Sequence, residues 1–463
     1  MSWIVSTIIS AVILSSAVNV RPVFAHLPVH NINTGEYFET IQDAINAPNT
    51  TNGHTIQVDA GVYNEDLVVN KGVWLKGENR STTTISGTGT KIVVDVRASN
   101  FTMSGFTINN SDTEEPCVYT ESQNLTVENC RIINRLIGIS LESSSHVNIT
   151  NNIIIGGTYA GIALVRSDHV SITYNKIANG LNRTHGIDIN ESATITVVYN
   201  NISDNINGVF LCNGEGDYGD ITISNNYIAN NTNGIEIFLQ YAGVSSATIV
   251  GNTITNNEKA VLQVRWEGAG CSPHNFYHNN FVNNTHNNIT FKGAAVAHNW
   301  DDGYPSGGNY WSNYNGTDVH SGPGPNQTGP GWDGIGDAAY SVGQNNSDNY
   351  PVMNPWPLAH LQVHTFATEQ GEIENVSVWV DEIEPCQNST AYFLLKYGTY
   401  SVKVRTSFSR QDPQDPTKYY RYYFDHWENG SKQNPRTITL TSDKLLTAYY
   451  RVQVMYIEAP PRG

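Results

Sequence analysis

Charge, sulfur and long apolar runs are all scarce in this chain. Asp, Glu, Lys and Arg make up only 14% of its 463 residues, and 25 basic side chains face 42 acidic ones. The net charge of -17 repels a phosphate backbone, so nucleic acid is not an expected partner. Acidic polysaccharides are disfavoured for the same reason unless a cation bridges them. Four methionines and the absence of a His or Cys cluster leave little for a soft metal, and copper is not expected. His274 and His278 do not change this, because on a strand a four-residue step sets them about 13 Å apart. None of the five cysteines, Cys117, Cys130, Cys212, Cys271 and Cys386, falls in a C-x-x-C pair, which excludes the usual zinc and thioredoxin patterns. Cys117 and Cys130 are near enough to pair, but buried free thiols are the expected state. The one long apolar run, residues 4–18, precedes V-F-A at 23–25 and reads as a signal peptide over 1–25, so the mature protein is expected to be secreted or held at the cell surface. No other stretch approaches the ~18 apolar residues that span a bilayer.

What is abundant is Asn, Thr, Ser, Gly and Ile in a regular rhythm. A phrase close to I-T-x-N-x-I recurs at residues 149–154, 172–177, 197–202, 223–228, 249–254 and 276–281, with its Asn at 152, 175, 200, 226, 252 and 279. Steps of 23 to 27 residues, alternating apolar and polar positions, are the signature of a solenoid. A second short strand repeats in phase: G-I-S-L at 138–141, G-I-A-L at 161–164, G-I-D-I at 186–189, G-V-F-L at 208–211 and G-I-E-I at 234–237. Two strands and a third per turn predict an all-β right-handed parallel β-helix, with Ile stacked along its axis. The repeated Asn is expected at a turn, where its side chain suits unusual backbone angles and bonds to the Asn one rung on.

The apolar residues Phe38, Ile41, Ala44 and Ile45 fall at helical spacing, and a short helix there would cap the first open rung, leaving a monomer with no edge to offer a second chain. Short strands are expected over 55–65, 67–69 and 73–75. The β-helix domain is assigned to 26–358, with 300–358 as an irregular C-terminal cap rich in Gly, Pro, Asn and aromatics. Residues 359–463 change style, with strands expected at 376–380, 391–395, 400–404, 419–424, 437–440 and 446–450, the pattern of a small β-sandwich. Sequons at Asn100, Asn124, Asn148, Asn182, Asn201, Asn288, Asn315, Asn388 and Asn429 permit glycosylation, although strand and turn chemistry already calls for Asn and Thr.

The outward positions of the G-I-x-I strands stack into one column: Ser140, Ala163, Asp188, Phe210 and Glu236. Asp188 and Glu236 lie two rungs, about 10 Å, apart along it. That separation suits an acid and a base in inverting glycoside hydrolysis, with the Phe210 ring beneath a sugar. His185 and Arg183 flank Asp188 to orient it or bind an oxyanion, and Tyr218, Tyr241 and Trp266 are further substrate-binding candidates. Outward strand positions are normally polar, so the same residues equally describe a surface without chemistry. Asp301, Asp302, Asp333 and Asp337 place oxygen donors in Gly-rich loops, where calcium is the cation they would suit.

Several of these segments resemble a known family. F-x-T-I-Q-D-A-I at 38–45, T-I-Q-V at 55–58, G-V-Y-N-E at 61–65 and the stacked I-T-x-N-x-I rungs resemble the pectin-lyase-like β-helix superfamily. G-N-Y-W-S-N-Y at 308–314, D-G-I-G-D at 333–337 and D-N-Y-P at 348–351 resemble the tail of NosD-like proteins, a group named for a periplasmic copper-binding protein and allied to carbohydrate-binding and sugar-hydrolase repeats. The resemblance covers about residues 36–358, and the region after it resembles immunoglobulin-like modules through 424–430 and 446–449. It implies the fold and export, but the fold hosts lyases, hydrolases, esterases and inert binding proteins alike. The polygalacturonase signatures N-T-D, G-H-G and R-I-K are absent, T-H-G at 184–186 being a partial echo. Arg183, Arg166 and Arg265 are scattered over rungs rather than gathered as a lyase needs. The leading expectation is a surface or secreted protein that binds a polysaccharide or surface glycan without cleaving it. A polysaccharide hydrolase or lyase is the alternative, and a structural stalk without ligand the second.

Overall fold

The computed structural model describes residues 27–89, 91–110, 115–178, 184–212, 219–239, 246–266, 272–284, 289–292, 296–343, 345–368, 370–373, 376–381, 391–412, 415 and 417–456, with the backbone alone at 239, 260–261, 263–266 and 292. The expected signal peptide lies outside these residues.

Among the described residues the repeats coil into three long sheets of 12, 11 and 10 strands, each strand pairing with its counterpart one coil away. Sheet 1 carries the strands before the repeated Asn, such as Asp168–Thr173; sheet 2 those after it, such as Lys176–Ala178; sheet 3 the G-I-x-I strands, such as His185–Asn190. The pairing is parallel and in register from coil to coil, which makes a right-handed parallel β-helix. Its core is a set of apolar columns. In sheet 3, Ile139, Ile162, Ile187, Val209, Ile235 and Leu262 are aligned rung by rung and all are 1% exposed or less. Full burial of each such side chain contributes about 1.5–3 kcal/mol, which is how stacked coils stay together without helices. The Gly of the G-I-x-I strands answers backbone crowding: a Cβ on Gly186 would lie 2.4 Å from the carbonyl oxygen of Gly208, and Gly138 and Gly208 are as close to the coil after them.

The repeated Asn is buried in the turn between sheets 1 and 2 and forms a continuous ladder. The side-chain amide of Asn152 donates to Asn175 Oδ1 at 3.0 Å, and the same 3.0 Å bond repeats through Asn200, Asn226, Asn252 and Asn279 to Asn309. One expectation needs correction. The left-handed residue is the one before the ladder, Asn151, Tyr174, Tyr199, Asn225 and His278 among them, because the chain must turn before the amide can point inward. A second ladder, Asn205, Asn231, Asn257 and Asn284, runs where sheet 2 ends.

The N-terminal helix is Ile41–Asn46, shorter than its periodic pattern, because Phe38 belongs to the strand Glu36–Phe38. Thr40 caps it by accepting from the Asp43 N–H, while the Glu65 carboxylate takes the N–H groups of Ile41 and Gln42 at 3.0 and 2.9 Å. Ile41, Ala44 and Ile45 close the first coil. Cys117, Cys130 and Cys212 are buried free thiols.

After Trp356, two sheets enclose a separate cluster that includes Leu361, Val363 and Phe393 on one side and Val378, Val402 and Ile438 on the other. Strands cover all six expected segments, and Leu358–Ala367 and Ser407–Gln411 are additional. The first of these pairs in parallel with Lys444–Tyr456, so this sandwich is mixed rather than wholly antiparallel. Among the described residues no helix is long and apolar enough to cross a membrane.

Candidate functional site

Register on sheet 3 determines which side chains share a face. Ser140, Ala163, Asp188, Phe210, Glu236, Gln263 and Thr290 are successive partners, and the same column extends upstream through Tyr119, Asp95 and Val68. Asp95 and Tyr119 escaped the sequence reading because their coils lack the G-I-x-I phrase. They line a groove of about 490 Å³ with Arg97 and Glu121, and Arg97 pairs with Asp95 at 2.6 Å.

The two expected catalytic carboxylates point away from the coil, yet they do not meet solvent. Asp188 is 5% exposed and Glu236 6%, whereas Tyr159, beside Asp188, is 45% exposed and Phe210 is half-buried. Period-2 alternation distinguishes inside from outside but cannot see neighbouring side chains fold over an outward position. Burial pushes the Asp188 carboxyl up to about 6, against the hydroxyl of Tyr159, which donates toward it and works the other way. Its Oδ1 has no hydrogen-bond partner among the described residues. The Tyr159 hydroxyl is itself raised, by burial first and by the Asp188 charge second.

His185 opens the strand three residues before Asp188, in line with Asn207 and Asn233. Its ring stacks on Phe210 at 4.6 Å and meets the edge of Tyr159 at 5.9 Å. Asn233 donates to Asn207 Oδ1 at 2.8 Å, and the Asn207 amide lies 3.1 Å from His185 Nδ1. Burial holds His185 down to about 4, so the ring is neutral at physiological pH and accepts at Nδ1. The structure thus brings Asp188, His185 and Phe210 together and adds Tyr159 and the two asparagines. Tyr159 is aligned with Thr184 once the A-G-I and H-G-I phrases are superposed, and that superposition was available in the sequence. Arg183, Tyr218 and Tyr241 lie outside the described residues. Trp266 ends the strand Ala260–Trp266, its backbone paired with Leu239, and its side chain also lies outside them.

The loop aspartates are engaged by protein donors. Asp301 accepts from the N–H groups of Gly303 and Asn349, and Asp302 from the Ser306 hydroxyl. Asp333 accepts from Ile335 and Gly322 N–H and from the Gln327 amide. Burial pushes the Asp337 carboxyl up, but the N–H groups of Val319 and His320, with the Thr317 hydroxyl and the His320 ring, together hold it below the usual carboxylate range. Asp318, the neighbour of this set, takes the N–H groups of Asp333 and Gly334. Calcium would have to displace these bonds, and among the described residues no three His, Cys, Asp or Glu side chains converge to hold a metal. Copper fits these residues no better: Met103 is sealed in the core, His274 stacks on His298, and His278, on a turn rather than a strand, packs on Trp356.

Residues 47–237 match the family described as periplasmic copper-binding protein (NosD), and residues 160–321 the right-handed β-helix region. The matched coil is NosD-like over residues 47–237 and a right-handed β-helix. An 80-residue stretch, 17% of the chain, is 39% identical to a cell surface glycoprotein of Methanothermus fervidus and spans 13% of that relative's length. Similar solved structures include the A-module of an Azotobacter vinelandii mannuronan C-5 epimerase, at 15% identity and a TM-score of 0.40 over 55% of this chain and 91% of that one. The Dettilon tailspike protein is similar at 12% identity and a TM-score of 0.41, over 83% and 82% of the two chains. The Asn ladder and the buried Ile columns account for this NosD-like coil, and Tyr159, His185, Asp188 and Phe210 are additions to it.

Proposed function

We propose that this is an extracellular or cell-envelope protein that binds a polysaccharide along sheet 3 and does not cleave it. One observation carries the reading: on that face the Tyr159 ring is exposed and the Phe210 ring half-buried, while the carboxylates of Asp188 and Glu236 are buried. Sugar rings stack on exposed aromatic faces, while hydrolysis needs both carboxyl groups and a water at the glycosidic bond. The neutral His185 and the Asn207 and Asn233 amides supply hydrogen bonds without charge. The stretch shared with a cell surface glycoprotein and the match to a family named as periplasmic support the location. Residues 359–463 then serve as a separate module carried by the coil.

A second reading rests on the Asp188 carboxyl, whose value near 6 would suit a general acid. Both readings meet one experiment, in which the purified protein is passed over a polysaccharide panel and scored for retention and for release of reducing or unsaturated ends. Retention without release, lost in Y159A/F210A, is the expected result. Release abolished by D188N would overturn it in favour of the hydrolase, and retention on no polymer would leave a structural stalk.

A further inference from the structure

A second surface column lies away from sheet 3, at the corner between sheets 1 and 2. The residue before each rung of the Asn ladder sits there with φ of 50 at Asn129, 54 at Asn151, 56 at Tyr174, 58 at Tyr199, 54 at Asn225 and 69 at Gly251. Asn and Gly suit this left-handed backbone, and a bulky side chain does not. Yet two successive coils carry tyrosines, their rings stacked at 5.1 Å and exposed to 61% and 52%. Neither the turn nor the core calls for a ring at these positions. Tyr227, on the next coil, is also an exposed ring, at 46%.

One coil beyond Asn225 the column loses its side chain at Gly251, and a groove of about 400 Å³ opens between Tyr227, on the adjoining sheet 2 strand, and Trp356, floored by Gly251 and Thr253. The far wall is fixed in place. Asn280 accepts from the Trp356 N–H at 2.7 Å and donates to its carbonyl at 2.8 Å, and the indole N–H donates to Gly308 O at 3.1 Å. The indole ring lies 4.0 Å from His278. Among the described residues no Asp, Glu, Lys or Arg lines the groove, and burial holds His278 below its ordinary value, which favours the neutral ring.

We propose that this corner is a second carbohydrate-binding track, in which an uncharged polysaccharide runs parallel to the coil axis, packs along the exposed side of the Tyr174–Tyr199 pair, and seats a sugar unit between Tyr227 and Trp356. The ring-to-ring step of 5.1 Å is close to the strand spacing of about 4.8 Å, so the pair runs along the coil axis toward the groove. Flat apolar faces joined by amides and a threonine match a pyranose, whose C–H faces are apolar and whose edges are hydroxyls. The inference shares with the proposed function only the class of ligand.

Affinity electrophoresis of the full chain tests it, with gels containing dextran, mannan, galactan, mixed-linkage β-glucan, polygalacturonate or alginate. Tyr174→Asn with Tyr199→Asn installs the residue the fold itself uses at 129, 151 and 225, so folding is retained and a thermal melt verifies it. At least one neutral polymer should retard the wild-type chain, with affinity falling about tenfold in Y174N/Y199N, the effect of losing about 1.4 kcal/mol. Gly251→Asn, which keeps the backbone but fills the groove, should weaken binding similarly. The track is refuted by a Y174N/Y199N chain that binds like wild type, by retardation in polyuronate gels alone, or by no retardation at all. Loss of binding in Y159A/F210A alone sinks the track and leaves sheet 3 as the site. Loss in Y174N/Y199N alone does the reverse.

Discussion

The carboxylate of Asp348 accepts the backbone N–H of Asn309 at 2.7 Å, in the place where every earlier rung of the ladder receives the amide oxygen of the next Asn. Asn309 is the last rung, and with no coil to follow, its N–H would be orphaned in a fully buried site. Asp348 also takes the Trp311 indole N–H at 2.8 Å and the Tyr350 N–H at 3.1 Å. Trp311 in turn stacks on Phe281 at 4.3 Å and closes the apolar core. The N-Y-W and D-N-Y-P segments are therefore two halves of one device that terminates the coil.

Replacing Asp348 with Asn should cost stability in a pH-dependent way. Burial, opposed by the Asn309 N–H and the Trp311 indole, pushes the carboxyl up to about 7. A folded value raised above the unfolded one near 4 gives stability that is full below pH 4 and lost as pH rises toward 7. D348N lacks this titration and leaves the Tyr350 N–H facing an amide, a loss of about 1–3 kcal/mol. The melting-temperature gap between wild type and D348N should thus be widest near pH 4.5 and narrow by pH 8. The wild-type profile alone would not show this, because buried His274 and His298, held down to about 3 and about 4, titrate with the opposite sign. A gap that is constant or widens with pH would refute the assignment.

Gly308 exists to admit Asp348. A Cβ on it would lie 1.9 Å from Asp348 Oδ1, so G308A should lose about 1–3 kcal/mol in urea unfolding through overpacking. Asp348→Ala removes the atom that would clash. A double-mutant cycle should therefore show G308A costing less in the D348A background than alone, and strict additivity would disprove the contact.

The coil was legible because its cause is periodic. Burial of Ile at every second position and of Asn at every turn repeats along the chain, so spacing alone yields the ladder and the Ser140 to Glu236 column. The second ladder, at Asn205, Asn231 and Asn257, has the same 26-residue step and was equally readable. What could not be read is set by non-repeating contacts. Asp348 acts 39 residues from Asn309, and Asp188 is outward yet buried because Tyr159, in a loop one coil earlier, lies beside it. The one-residue error at the turn has a similar source. Asn is favoured both in left-handed turns and in amide ladders, and the two roles separate where the turn residue is not Asn, at Tyr174, Tyr199, Gly251 and His278.

The two ladders should differ in strength. Asn226 donates to Val197 O at 2.8 Å and Asn252 Oδ1 at 3.0 Å, and accepts from the Asn200 N–H and amide at 2.8 and 3.0 Å. Asn231 makes the equivalent donations at 3.2 Å each. Truncating either leaves buried groups unpaired, at about 1–3 kcal/mol apiece before relaxation. N226A should destabilise the coil by several kcal/mol and by more than N231A, as read by hydrogen exchange of the flanking rungs. Equal losses would mean that bond length at the second ladder carries no energetic weight.

Asp188 should prove a stability liability. Its carboxyl is raised to about 6 by burial, and one oxygen lacks a partner among the described residues. The sign follows as for Asp348: the protonated, neutral carboxyl contributes fully below pH 4, and that contribution is lost as pH rises to 6. D188N preserves shape and an acceptor for Tyr159 while removing the charge. At pH 8 it should be more stable than wild type by about 3 kcal/mol, two units at 1.36 kcal/mol each, and at pH 4 the two should match. A gain in stability on deleting a charged group marks a residue retained for something other than folding. Polysaccharide retention measured on the same variant completes the test, since a stabilised D188N that binds less well assigns Asp188 to the ligand. If D188N is less stable than wild type at every pH, Asp188 belongs to the architecture of the coil.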